Sequence, residues 1–323
     1  VSRILVADKK SIETQSLGRF RLEELMFRAA SVSLLTFLFL ASVAVAQAAE
    51  PMKPYILAET VTDSLDSRAE ALQQTLTDAG FEVVGRYAPY EGAHVLVVTH
   101  DTLKSTAAQT DRGGYGAVQR VAMTAVGEGE VQVAYTNPEY VAHAYRLADD
   151  LSEVRGALEQ ALGAEMAFGA QEGLTPKELR KYHFKIFMPH FDDPLDLAEY
   201  GSHAEAVKAV QQRLEATTSG VGLVYRVDIP GKDQTLFGVS FDPAAGAPED
   251  TEERYQMETV TQGDLKPTPY WPYELLVDAG RVEALNMKFR MAVHFPNLGM
   301  GTFMNLMSSP GAVKDALTAV AER

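Results

Sequence analysis

One unit recurs in this sequence and limits what the chain can fold into more than any other feature. Residues 130–163, EVQVAYTNPEYVAHAYRLADDLSEVRGALEQALG, run from an alternating apolar segment through Asn137-Pro138 into an apolar-striped helix. The residue before a proline favours extended backbone and proline suits a helix's first turn, so the strand ends and the helix begins there. A diverged copy reads at residues 289–322, FRMAVHFPNLGMGTFMNLMSSPGAVKDALTAVAE, with Pro296 in the place of Pro138. Further on, Val313, Ala316 and Leu317 fall on Val154, Ala157 and Leu158 at a constant offset.

The elements upstream of each copy also correspond. In the first half Tyr55–Thr60 reads as a strand, and Ser67-Arg68-Ala69-Glu70 as a capping box opening a helix that buries Ala71, Leu72 and Leu76. Gly80 ends that helix. Strands follow at Phe81–Tyr87 and Ala93–Thr99, then a short helix at Asp101–Ala108. A hairpin joins Val118–Val126 to Glu130–Thr136 around Gly127-Glu128-Gly129. In the second half His183–Met188 restarts the strand pattern and Ser202-His203-Ala204-Glu205-Ala206 repeats the capping box. Gly220–Val227 repeats the next strand, with Arg226 for Arg86, and Glu274–Asp278 reads as another strand.

The order is β-α-β-β-α-β-β-α in each half. Hairpins dominate it, which predicts an α+β fold of two similar domains, each a largely antiparallel sheet with helices on one face. The domains are expected over 54–163 and 183–323. Between them lies a linker, 164–182, that carries its own capping box at Thr175 and Glu178. The second copy holds an acidic, Pro- and Gly-rich insert at about 241–272, ending in Tyr270-Trp271-Pro272-Tyr273. Such an insert is ordinarily a surface loop, although long loops in compact domains are often functional.

Composition excludes several chemistries. The chain has 323 residues, 46% of them hydrophobic, enough for two cores. With no cysteine it has no disulfides, no thiol nucleophile and no thiolate metal site. A formal charge of −15 argues against nucleic acid as a partner. Residues 29–46 form an apolar run behind Arg28, followed by Ala46-Gln47-Ala48, the layout of a secretory signal peptide at 26–48. Residues 1–25 fit that layout poorly because of Glu23 and Glu24, and read as an over-extended N-terminus ahead of Met26. The expectation is a periplasmic or secreted protein with no stable membrane span after cleavage. An uncleaved anchor is the alternative, since eighteen apolar residues just reach the length of a span.

The first helix, the GFEVV and AHVLVV strands, the glycine hairpin and the V-x-V-x-Y-x-N-P-E-Y passage resemble the domain-of-unknown-function 302 family, a small α+β fold of the same element order. The resemblance covers Ser67–Gly163 best. It thins over His203–Glu322, where Phe295-Pro296-Asn297-Leu298 replaces Asn-Pro-Glu-Tyr. It implies a fold without an established reaction, and no catalytic residue is carried over.

Candidate chemistry is sparse. Tyr135, Tyr140 and Tyr145 with His143 cluster in the organising unit. Tyr140 and His143 share a helical face and are suited to lining a pocket for a polar ligand; the plainer reading is that the rings are partly buried with hydroxyls at the rim. Met291, His294, Met300 and Met304 form a second set, with soft ligands suited to copper, against the plainer reading of core filling. Asp192, Asp193 and Asp196 lie near His190 without a calcium-loop pattern and read as a turn. No pair of histidines has metalloprotease spacing, the Gly113-Gly114-Tyr115-Gly116 loop lacks a P-loop lysine, and there is no nucleophile elbow. The expected function is a non-enzymatic binding or accessory module for an unknown small molecule or protein, with no cofactor identified. The alternatives are a copper-handling protein or an enzyme of unidentified class.

Overall fold

Each half builds an antiparallel meander and places its first strand beside the last strand of that meander. The computed structural model describes residues 50–185 and 188–322, so the expected signal segment and N-terminal extension lie outside the described residues. The first half runs β1 (Tyr55–Thr62), α1 (Leu65–Asp78), β2 (Glu82–Tyr87), β3 (Ala93–Thr99), α2 (Asp101–Gln109), β4 (Gln119–Gly127) and β5 (Glu130–Thr136). It continues through α3 (Pro138–Ala144) and α4 (Ser152–Leu162) to β6 (Met166–Phe168) and α5 (Pro176–Leu179). The second half runs β7 (Leu195–Glu199), α6 (His203–Glu215), β8 (Val221–Asp228), β9 (Gln234–Phe241), α7 (Glu253–Val260), β10 (Tyr273–Asp278) and β11 (Arg281–Ala284). Helices α8 (Met287–His294), α9 (Met300–Asn305) and α10 (Ser309–Ala321) close it.

The fold is α+β with two antiparallel sheets, as expected. The first sheet has the order β2-β3-β4-β5-β1-β6, and the second, read from its β8 edge, has β8-β9-β10-β11-β7. Apart from β6 the two orders are the same. The irregularities coincide as well: β2 bulges between Val83 and Gly85, and β8 between Leu223 and Tyr225, at the same place in the repeat.

Strand alternation decides which face meets what. On the first sheet Val121, Met123, Val131, Val133 and Tyr135 turn towards α1 and α4, whereas Arg120, Thr124, Gln132 and Ala134 turn towards the second half. On the second sheet Tyr273, Leu275 and Val277 lie in the core shared with α6 and α10, while Glu274 and Leu276 face the first half. Each sheet thus carries helices on one face and opposes the other half with its second face. Close approach of β2 and β8 requires a glycine, because a Cβ on Gly85 would lie 2.9 Å from the Tyr225 Cβ. The halves also exchange arms. Gly114 N donates to Gln234 Oε1 on β9 at 3.3 Å, and Thr268, just ahead of β10, sits 2.8 Å from the Thr124 hydroxyl on β4.

Several sequence expectations are corrected. Helix α1 is capped by Ser64, which accepts from Ser67 N, so the Ser67–Glu70 capping box does not form. Ser202 caps α6 in the matching place. The first organising unit contains two helices, α3 and α4, because Arg146 and Leu151 adopt left-handed backbone between them. In its copy, Phe289–His294 belongs to helix α8 rather than to a strand. The true counterpart of Asn137-Pro138 is Asn286-Met287, with an asparagine at each N-cap. The described residues of 183–188 form no strand; β7 begins at Leu195. The Thr175–Glu178 capping box forms as expected.

Candidate ligand-binding cleft and its buried polar backing

A cleft of about 450 Å³ opens between the halves. One wall comes from β6 and the turn after it, including Met166, Phe168 and Gln171. A second comes from the insert, Val260 to Pro267, and a third from Phe295, Asn297 and Leu298 after α8. Apolar side chains make the floor, with Phe168 and Phe295 each about nineteen-twentieths buried, and Gln171, Gln262, Asp264 and Asn297 supply polar groups. The walls are tied down locally. Gln171 N donates to Asn297 Oδ1 at 2.7 Å, joining the first wall to the third. Lys266 N donates to Gln132 Oε1 at 2.9 Å, and Gln132 Nε2 donates to the Asp264 carbonyl at 3.4 Å, pinning the insert to β5.

Behind the floor lies a buried polar centre. The Tyr55 ring is 5.5 Å from Phe168 and 6.2 Å from Phe295, centroid to centroid, and Tyr270 is 5.1 Å from Phe295. Tyr55 and Tyr145 place their hydroxyls 3.0 and 3.2 Å from the two ring nitrogens of His294. A neutral imidazole suits this arrangement, one nitrogen donating and the other accepting. Burial, with Arg290 and Arg120 adding to it, holds the His294 pKa well below its usual value. Burial likewise pushes the Tyr145 hydroxyl up to about 12 and keeps Tyr55 protonated.

Two arginines and one glutamate complete this centre. Arg120 on β4 donates to Glu274 on β10, which also accepts from the Tyr225 hydroxyl at 2.9 Å. These two positions are equivalent in the two sheets, so the ion pair spans the junction of the halves. Arg290 on α8 lies between two aromatic faces, 4.2 Å from the Tyr270 centroid and 4.3 Å from Tyr273. One of its nitrogens donates to the Tyr270 and Pro272 carbonyls, while Nε and Nη1 find no hydrogen-bond partner among the described residues. The balance of these charged groups is one positive charge.

The structure separates the sequence-derived candidates. Tyr135 faces the helix side of its sheet and donates to the Gly163 carbonyl at 3.1 Å. Tyr140 is fully buried and donates to the Val293 carbonyl at 2.5 Å, while Tyr182 donates to Ala292 O at 2.8 Å; together they cap the C-terminus of α8. Tyr145 meets His294, at the matching position of the second half. His143 is half-buried and accepts from Arg180 Nε at 3.2 Å. Of the soft-ligand set, Met291 and His294 are 1% exposed, whereas Met300 and Met304 are 52% and 54% exposed on α9, so they do not share one environment. That exposure also overturns the core-filling reading for Met300 and Met304, whereas Met291 does fill the core. Asp192 pairs with Arg146 at 3.0 Å, and the described residues hold no group of three His, Asp or Glu side chains fit to bind a metal.

The cleft residues escaped the sequence reading, apart from the insert, whose length was the one signal pointing to them. No protein-family model matches this chain, and no curated protein or solved structure is significantly similar to it. Among the described residues no helix is long and apolar enough to cross a membrane.

Proposed function

We propose that this protein is a non-catalytic binding or accessory module that takes a small, largely apolar molecule into the cleft between its halves. The observation that carries this reading is the cleft itself. Its volume of about 450 Å³ lies in the range of small-molecule sites, its floor is apolar and aromatic, and a few polar groups stand around it. Asp264 is the ionisable group among its lining residues, so no acid–base pair faces a bound molecule. Export of the chain, read from Arg28 to Ala48, belongs to the same proposal and is tested by the mass of the mature protein from its native compartment.

The test of binding is fluorescence titration with N-phenyl-1-naphthylamine, which brightens in apolar surroundings. Saturable enhancement by the wild type, abolished in Ala170→Trp, supports the cleft as the site, because Ala170 lines it and an indole there would fill it. No enhancement in the wild type, or equal enhancement in a folded Ala170→Trp protein, overturns the proposal.

A further inference from the structure

The charge around the cleft is arranged by depth. Asp264 is exposed, and no lysine, arginine or histidine lines the cleft. Lys266 stands between two lining residues in sequence but lines a separate hollow of about 310 Å³, together with Glu91, Arg254 and Glu258. Helix α7 ends at Val260 on the cleft wall and brings there the partial negative charge of a helix C-terminus. Helix α8 ends at Phe295 on another wall, but the Tyr140 and Tyr182 hydroxyls already occupy two of its last carbonyls. The sign reverses behind the floor, where Arg290 lies beyond the Tyr270 ring that touches Phe295.

Resting on the binding function proposed above, we infer that the ligand is an amphiphile with a terminal cation, such as an alkylammonium compound. Its apolar chain lies on Phe168 and Phe295, and its charged end sits at the mouth beside Asp264. A cation placed deeper would approach the Arg290 guanidinium across a low-dielectric interior and lose the water that an exposed site keeps. An anion at the mouth would meet Asp264 and the α7 terminus. An uncharged chain would fill the floor without using Asp264.

Competition against bound N-phenyl-1-naphthylamine tests this, using decyltrimethylammonium, decyl sulfate and 1-decanol below their aggregation concentrations. The expected order of displacement is cation, then alcohol, then sulfate. Asp264→Asn is expected to weaken the cation about fivefold and leave the alcohol unchanged. Asp264→Lys should place the sulfate ahead of the cation. The cation's advantage should also shrink as salt rises, since the mouth is solvated. Because the whole chain is acidic, the decisive quantity is the change caused by Asp264→Asn. If the probe binds but the sulfate competes as well as the cation, or the preference survives Asp264→Asn, the inference falls and the cleft remains a binding site. If the probe fails to bind the wild type, both fall.

Discussion

Replacing Glu274 by Gln keeps the size of the side chain and removes only its charge, at the point where the two halves are joined by an ion pair. Glu274 is 2% exposed, as is Arg120, its partner, and the Tyr225 hydroxyl donates to the same carboxylate. The variant leaves Arg120 and Arg290 in one interior with no anion between them. Removing one member of a buried pair costs about 3–5 kcal/mol, because the other charge stays desolvated without compensation. Against a typical total of about 5–15 kcal/mol, that runs from about a fifth of the stability of a robust domain to all of that of a marginal one. Arg120→Met and Glu274→Met should each cost a similar amount. The double variant Arg120→Met/Glu274→Met should cost much less than the sum, since an apolar pair of similar volume often replaces a buried ion pair with little loss. The assay is urea unfolding at neutral pH, followed by far-UV circular dichroism and by the fluorescence of Trp271. That residue is the chain's one tryptophan, fully buried 5.1 Å from the Tyr270 ring, and so reports on this centre directly. A cost below about 1 kcal/mol for Glu274→Gln, or full additivity in the double variant, would refute the reasoning.

His294 and Glu253 set opposite pH dependences. The folded His294 pKa lies well below 6.5, so its neutral state stabilises the fold above that pH and the contribution is lost as pH falls, by up to about 1.4 kcal/mol per unit. Unfolding free energies of wild type and His294→Gln from urea titrations should diverge below about pH 7.5, with a slope difference approaching one proton by about pH 5.5. Glu253 is 3% exposed, and burial raises its folded pKa well above 4.5, so the native state holds its proton and stability falls as pH rises past the unfolded value. Glu253→Gln should therefore gain about 1 kcal/mol or more at pH 7 and nothing at pH 4, in the same assay. Gly238→Ala should destabilise by about 3 kcal/mol, because its Cβ would overlap the Tyr225 ring and dislodge the hydroxyl held by Glu274; thermal unfolding reads this.

The first half was readable because its signals were unambiguous. Ala93–Thr99 and Glu130–Thr136 match β3 and β5 residue for residue, since β-branched runs bounded by glycine and proline admit one interpretation. Phe289–His294 admits two. A short apolar run suits a strand or a buried helix, and Asn286, which accepts from Lys288 N, decides for the helix. The burial of Arg290 has no local signal either, because the tyrosine rings that make it tolerable come from another element. In α1 two serines competed for the cap. Ser64 prevails with Leu65 packed against the core beside it, and the Ser-x-x-Glu pattern at Ser67 falls inside the helix.

The cleft was hidden for a different reason: it is built from the places where the two halves differ. Strand β6 extends the first sheet and has no counterpart beside β7. Insert residues 260–267 occupy the interval between β9 and β10, while the corresponding interval of the first half holds α2 and the glycine turn at Gly113–Gly116. The turn at Phe295–Leu298 leads to α9, an exposed helix, whereas its counterpart after Tyr145 leads through Leu147 and Leu151, both fully buried, to α4. Equivalent positions make the permanent junction: Arg120 meets Glu274, Tyr145 meets His294, and Gly85 lies against Tyr225. Repetition thus supplies a self-complementary interface, which needs no ligand to hold it, and the departures from repetition leave the cleft at its edge. A site made from β6, an insert and a turn distant in sequence has no local motif, so only the three-dimensional assembly brings its residues together.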